Sequence, residues 1–515
     1  MDSIKKIDKT KNISNTDYGF LVLVVILGLF NAIGTNISVF SLLATVIEYG
    51  IVLSLLFNRD YKKSFIYFVA FTAITLENDI FIYGDNTSAH ADRFTFFNFP
   101  ILHALLFYLL SIVYLYKSYK EAQLNNCKIP NLLQKFKKWT IVLFITGTIS
   151  IIIAMFVNDN GIMNWNYYPK EAIIQIFGYA IRVSILLTSA YLVCDEKWYK
   201  ALESYLLLII AAISIICTMT TLLGFHGYYS DSDIMLSTLA IAFTPFLIVF
   251  ANKNVDCHSS NKMIALITGV IIIVASFAMP NCIGSKWYMI ILAAIAAWLI
   301  IFAKVSSPWK IGGVAIVGLL LLTLLSEPLI GLISGGNEFV EWKLTQAVKT
   351  MNILGQESAQ DWYEDMDNSP LYRFDELHNT FIEYTEKPWY ALFGKGLGGT
   401  IRHHTNLLFW ESGHGTFSES QIKMGAYHTM HETLAVLFLQ HGIAGICFFF
   451  TIIALLVKRL YKTPWAMIGF IWILFYWSYG MSLIIGGIAM ILAFREDEEG
   501  AHVKTKKKKR RSILR

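Results

Sequence analysis

Charge is bunched in this sequence. Short clusters of Lys, Arg, Asp and Glu are separated by long uncharged apolar stretches, several of about 20 residues, the length a helix needs to cross a bilayer. A chain with this rhythm has too much apolar surface to bury in one water-soluble core. Composition agrees: 55% of the residues are hydrophobic and 15% charged, whereas soluble domains carry about 25% charged residues. The expected fold class is an all-α polytopic membrane protein with about 12–14 transmembrane helices. One large, mainly helical extracytoplasmic loop is expected before the last spans.

Apolar runs of span length begin near Tyr18, Ser38, Ser64, Phe99, Trp139, Ala172, Ala201, Ile234, Met263, Lys286, Ile311 and Glu432. The run at Tyr18 is long and lacks a small-residue cleavage site, so it is expected to stay as the first span. Residues 464–494 are too long for one upright span and short for two. Six cysteines stand singly, without a CxxC or a metal-ligand spacing, which argues against a disulfide framework and a zinc site.

Loop charges set the orientation, because Lys and Arg are retained on the cytoplasmic side. With the N-terminus inside, 31 of the 42 Lys and Arg fall in inside segments. The short outside loops hold three: Arg93, Lys170 and Lys286. Keeping the tail with Lys504, Lys506 and Arg510 inside, where it meets anionic lipid, requires residues 464–494 to fold back around Ser478 to Gly480. The expected division is a cytoplasmic N-tail (1–17), a transmembrane bundle (18–333), a large extracytoplasmic loop (334–431), C-terminal transmembrane segments (432–494) and a basic cytoplasmic tail (495–515).

Function is expected in the large loop. It opens with an amphipathic stretch, Phe339, Trp342, Leu344, Val348 and Met351, suited to lie on a membrane surface. Ser369 and Pro370 then read as the N-cap and first position of a helix. Its apolar stripe is Phe374, Leu377, Phe381 and Tyr384, Arg373 projects from its first turn, and Pro388 closes it. Residues 392–399, Leu-Phe-Gly-Lys-Gly-Leu-Gly-Gly, follow no strand and end in no Lys-Ser/Thr, so they read as a tight turn and not as a phosphate-binding loop. His403, His404, His414, His428 and His431 have spacings that fit no zinc pattern. No metal and no cofactor are expected.

His431 lies at the outer mouth of the run containing Gly442 and Gly445. On a continuous helix, at 100° per residue, those glycines return to within about 20° and 40° of it. One face would then carry a titratable head above a smooth groove for a neighbouring helix or a lipid chain. Lys286 and Arg373 add two fixed positive charges near the outer headgroup plane, where a lipid-linked phosphate would lie. Taken singly, each is more simply a snorkelling or solvated side chain.

Three segments together resemble the O-antigen polymerase and O-antigen ligase superfamily of bacterial surface-polysaccharide enzymes. Ser285-Lys286 looks like that family's Ser-Arg at the start of a span. Arg373 through Pro388 to Phe393-Gly394-Lys395-Gly396-Leu397-Gly398 looks like its Arg-helix-Pro and Phe-Gly-x-Gly-x-Gly segment. His431 through Gly442-Ile443-Ala444-Gly445 looks like its His with Gly-x-x-Gly. The likeness spans residues 279–450. Two positions depart from it: lysine replaces the first arginine, losing the bidentate fork, and Glu432 follows the histidine where Asn or Ser is usual. His378-Asn379-Thr380 imitates the histidine segment, but no Gly-x-x-Gly span follows it.

The resemblance implies polymerisation of lipid-linked repeat units at the outer face of the bacterial cytoplasmic membrane, both termini inside. It implies a polyprenyl-pyrophosphate-linked oligosaccharide as substrate and inverting, metal-independent glycosyl transfer. Arg373 and Lys286 would bind pyrophosphate and His431 would handle the acceptor proton; His428, Arg182 and Arg402 are secondary candidates. The partners implied are the lipid bilayer, a flippase and chain-length regulator proteins, with no nucleic acid. Two other functions stay open: a ligase using the same chemistry on another acceptor, and a transporter or lipid flippase. The second is suggested by Glu48, Glu77, Asp79, Arg182 and Glu203 inside apolar runs, since such groups often mark transport paths.

Overall fold

The protein is seen in a computed structural model that describes residues 14–34, 38–74, 100–156, 168–222, 239–250, 259–278, 341, 345, 368–405, 421–422, 425–427, 430, 432–475, 477 and 483–495. Within these the chain is all-α: no strand forms, and a lone antiparallel bridge joins Ile401 to Tyr427. Helices α1 (Ser14–Ile33), α2 (Ser38–Phe57) and α3 (Tyr61–Ile74) pack on one another. They are followed by α4 (Pro100–Leu124), α5 (Asn131–Phe156), α6 (Tyr168–Leu192) and α7 (Glu196–Leu222). A 3-10 stretch, Leu239–Phe246, runs into α8 (Leu247–Phe250), and α9 (Ser259–Ala278) packs against α7 and α8. Among the described residues, Glu196–Thr220 is the segment long and apolar enough to cross a membrane by length and composition; shorter apolar helices include Tyr18–Ile33, Leu42–Phe57 and Ile176–Leu192.

Buried hydroxyls in these apolar helices are satisfied locally. Thr72, Ser111, Thr188 and Thr220 each donate to the carbonyl four residues back, at 2.7 to 2.9 Å, a bond the helix itself supplies. The acids buried among the helices have partners too. Glu48 accepts from the Asn31 amide at 3.0 Å and Glu203 from the Trp465 indole at 2.6 Å.

The C-terminal half holds α10 (Asn368–Glu386), α11 (Pro388–Phe393), α12 (Thr433–His441), α13 (Ile443–Val457), α14 (Pro464–Phe475) and α15 (Ile484–Arg495). Residues 464–494 do fold back. Gly469 lies against Met490 and Gly486 against Trp472, so positions ascending α14 meet positions descending α15. The missing side chains at Gly469 and Gly486 are what let Met490 and the Trp472 ring approach.

The run from Glu432 is not one continuous helix, contrary to the sequence expectation. It breaks at Gly442, which has φ +57° and ψ −139° and ends α12 before α13 begins. Only glycine enters that backbone region without strain. The angular relation of His431 to Gly442 and Gly445 assumed an unbroken helix and is lost with it. The amphipathic stretch 339–351 and the runs at Lys286 and Ile311 lie outside the described residues.

Candidate functional site

Helix α10 carries Arg373 in its second turn, and Pro388 follows its end as the pattern predicts. Its buried face is mainly polar, and of the apolar stripe only Tyr384 is fully buried. Leu371, Asp375, Glu376, Asn379, Thr380 and Glu383 are buried, while Phe381 of the stripe is 50% exposed and tilts against Phe438 at 5.1 Å. A polar face is buried because residues 402–405 supply hydrogen-bond partners to Asp375, Asn379 and Glu383, which offsets the penalty of burying polar groups.

The pairing is dense. Asn379 Oδ1 accepts from the backbone of His404 (2.5 Å) and Thr405 (3.0 Å). Its amide donates to the Asp375 carbonyl at 2.8 Å and to Thr405 Oγ1 at 3.3 Å. Thr405 Oγ1 in turn donates to Asp375 Oδ1 at 2.7 Å. His403 Nε2 lies 3.5 Å from Asp375 Oδ2 and His404 Nε2 3.7 Å from Glu383 Oε2. These two are ion-pair contacts that strengthen on histidine protonation. The other edge of the segment is fixed by Ile401, which exchanges backbone hydrogen bonds with Tyr427.

At the foot of α10, the turn at 392–399 has Gly394, Gly396 and Gly398 all at positive φ, confirming a tight turn that needs glycine. Its backbone caps α12. The N–H of Lys395 donates to the Leu439 carbonyl (2.7 Å), that of Gly396 to Gln440 (3.1 Å) and that of Leu397 to Gly147 on α5 (3.2 Å). The first two bonds satisfy carbonyls that the end of α12 leaves orphaned, and the third ties the turn to α5. Lys395 itself is fully buried, paired with Glu383, bonded to the Thr400 carbonyl at 2.6 Å and lying 5.2 Å from the centre of the Tyr390 ring. Burial pulls its ammonium below the usual lysine range, against the opposing pull of Glu383. Tyr384 donates to the Phe438 and Leu439 carbonyls (3.2 and 2.9 Å), and its phenol is pushed well up by burial.

The head of α12 holds one of the expected cations, Arg373, and a contact through Trp477 leads on to a second, Arg182. Arg373 Nε lies 3.1 Å from Glu432 Oε1, and Glu432 is the N-cap of α12 and the chain neighbour of His431. The next residue, Thr433, accepts the Trp477 backbone N–H on Oγ1 at 3.3 Å. The Trp477 ring lies 5.7 Å from the Arg182 guanidinium. Separate contacts thus run from Arg373 to Glu432, from Thr433 to the Trp477 backbone, and from the Trp477 ring to Arg182. Glu432, a departure from the family pattern in the sequence, is the carboxylate that orients Arg373.

The other candidates lie elsewhere. Arg402 is exposed beyond the far end of α10, its backbone N–H donating to Glu383 Oε2 at 3.3 Å. Gly442 ends α12 and Gly445 lies in the first turn of α13, and both are closely packed. A Cβ at Gly442 would stand 2.6 Å from the Ala391 carbonyl oxygen and 2.7 Å from the Gly394 nitrogen, and one at Gly445 would strike the Leu437 carbonyl. The two glycines let the chain turn its corner against the 392–399 turn. Lys286, His428 and His431 lie outside the described residues.

Sequence reading passed over Glu383, Asn379 and Lys395. The i, i+4, i+8 spacing of Asp375, Asn379 and Glu383 was a usable signal, because those positions share a helix face. Among the described residues, no three His, Cys, Asp or Glu side chains converge as metal ligands would. Comparison with protein-family models, curated proteins and solved structures finds no match.

Proposed function

We propose that this chain is a polytopic protein of the bacterial cytoplasmic membrane, with both termini inside. On the outer face it would extend a surface polysaccharide by inverting glycosyl transfer from a polyprenyl-pyrophosphate donor. Exposed apolar side chains on the outer helices, among them Val22, Val39, Phe57, Leu109, Leu124 and Val274, suit a lipid solvent. Outside the cell no nucleotide sugars are at hand, so an activated sugar there must arrive on a lipid pyrophosphate.

The observation that carries the chemistry is the tie of Arg373 to Glu432 at the head of α12, the residue next to His431 in sequence. The acceptor hydroxyl attacks the anomeric carbon, its proton passes to the His431 imidazole, and the bond to the pyrophosphate oxygen breaks. Lys286 and Arg373 bind the leaving pyrophosphate and offset its growing charge. Arg182 and the partial positive end of α12 add to that field. The products are a glycan longer by one repeat and a free polyprenyl pyrophosphate.

The test uses the purified protein in detergent with lipid-linked repeat units, read as glycan length. His431→Ala is expected to lose about 10²- to 10⁴-fold in rate, and Arg373→Ala to abolish chain growth, with insertion and expression unchanged. Arg373→Lys keeps the charge but not the two-pronged contact, and should retain less activity than charge alone would give. Near-normal polymer length in both alanine variants overturns the proposal. Turnover that ends in transfer of finished polymer to a second acceptor would reassign the same site to the ligase reaction. A transporter is not favoured, because Glu48 and Glu203 bond to Asn31 and Trp465, as structural buried acids do.

A further inference from the structure

Away from this site, α1, α2 and α3 enclose an open groove of about 530 Å³ lined by Leu23, Ile47, Gly50, Ile51, Ser54, Leu55, Lys63 and Tyr67. Its axis can be read from helix position at 1.5 Å per residue. Lys63 is in the first turn of α3 and Leu55 near the end of α2, whereas Leu23, Ile47 and Gly50 lie two to three turns further from those ends. A basic mouth thus opens onto an apolar floor roughly 10–15 Å deep.

The mouth carries an available cation. Lys62 is bound to Glu121 and lies over the Trp198 ring, whereas the Lys63 ammonium makes no ion pair among the described residues. Ser54 and Tyr67 bring hydroxyls to the same wall. At Gly50 nothing lies within 4 Å of where a Cβ would be, so this glycine widens the groove and is not required by helix packing.

We infer that the groove binds one anionic glycerophospholipid of the cytoplasmic leaflet, its phosphate at Lys63 and an acyl chain along Leu55, Ile51, Ile47 and Leu23. Charge complementarity names the occupant. The inner leaflet is anionic, the loop with Arg59, Lys62 and Lys63 is basic, and the floor below it is apolar. This rests on the membrane location and inside N-terminus proposed above, and is independent of the glycosyl-transfer chemistry.

The full chain is reconstituted in nanodiscs of phosphatidylglycerol and phosphatidylethanolamine, and retained lipid is counted by native mass spectrometry after transfer to detergent. The wild type should keep one phosphatidylglycerol in preference to phosphatidylethanolamine. Lys63→Gln should reduce that preference about fivefold, the weight of one lysine near an anionic leaflet. Gly50→Leu, which enters open space, should displace the lipid while thermal unfolding and chain growth stay as in the wild type. Glycerol phosphate added in excess should not compete, because it has no chain for the floor. Equal retention of phosphatidylglycerol in the wild type and both variants, or displacement by glycerol phosphate, overturns the inference. A periplasmic reporter signal from an N-terminal fusion would overturn the orientation, a failure that the lipid counts would not register.

Discussion

Two regions of the molecule bury polar groups in opposite ways. In the helices up to α9, most buried hydroxyls donate one turn back along their own helix, as Thr72, Ser111, Thr188 and Thr220 do; Ser214, bonded to the Thr268 carbonyl on α9 at 3.0 Å, crosses between helices. In the corner of α10 to α13 the partners are distant in sequence: Glu383 with Lys395, Asp375 with Thr405, Tyr384 with Leu439. A bond within one turn fixes nothing beyond that turn. A bond across 12 to 55 residues fixes the path of the whole segment. The first region is held mainly by apolar contact with scattered polar ties such as Asn31 to Glu48 and Ser64 to Tyr114, and the second by a polar network that stands or falls together.

Breaking the network at its buried charge should have the largest effect. Lys395→Met leaves the Glu383 carboxylate, 6% exposed, without its cation and should destabilise the corner by about 3–5 kcal/mol, read as a lowered unfolding temperature in detergent. Lys395→Met with Glu383→Gln should recover part of that loss, since no unpaired charge remains. A single variant as stable as the wild type would show that the corner does not depend on the pair.

Gly442→Ala tests the backbone of the same corner. The new Cβ meets strain at φ +57° together with the Ala391 carbonyl and the Gly394 nitrogen. Backbone strain alone costs about 1–3 kcal/mol, and the contact adds to it by pushing the 392–399 turn off the end of α12. Gly425 separates the two contributions. It has φ +60° with open space around it, so Gly425→Ala should lose only the left-handed penalty of about 1 kcal/mol. Equal losses at the two positions would mean that the close packing at Gly442 contributes nothing.

The same division explains what the sequence disclosed. Apolar runs located the helices of the bundle, with α2 beginning at Ser38 and α4 at Pro100, because length and hydropathy are local properties. Pro388 marked the end of α10 for the same reason, while the helix starts at Asn368, ahead of the Ser369 cap and Pro370 first position that the sequence suggested. The buried face of α10 was not legible, because its polar residues have helical spacing as regular as the apolar stripe. What buries Asp375, Asn379 and Glu383 is a segment some 20 to 30 residues away. The break at Gly442 was equally hidden, since glycine inside an apolar run is compatible with a straight helix. It is the approach of Gly394 that makes the bend necessary. Arg373 was found from its place beside a stripe, whereas its tie to Glu432 depends on α12 arriving from a distant part of the chain.

The smallest effect is expected in the bundle and is the sharpest check on the comparison. Thr188 is fully buried and donates to the Ser184 carbonyl at 2.7 Å. Thr188→Val keeps the shape and the β-branch, and the Ser184 carbonyl can still accept the backbone N–H one turn on. No orphaned group is created, so the loss should be below about 1 kcal/mol, with a correspondingly small change in unfolding temperature. Asn379→Leu is the matched change in the corner, also one buried side chain, but it strips the acceptor from the backbone N–H groups of His404 and Thr405. It should lose about 1–3 kcal/mol for each donor left unsatisfied. Similar losses for the two would mean that both regions rest on the same kind of contact, and the polar network would lose its claim to hold Arg373 and the head of α12 in register.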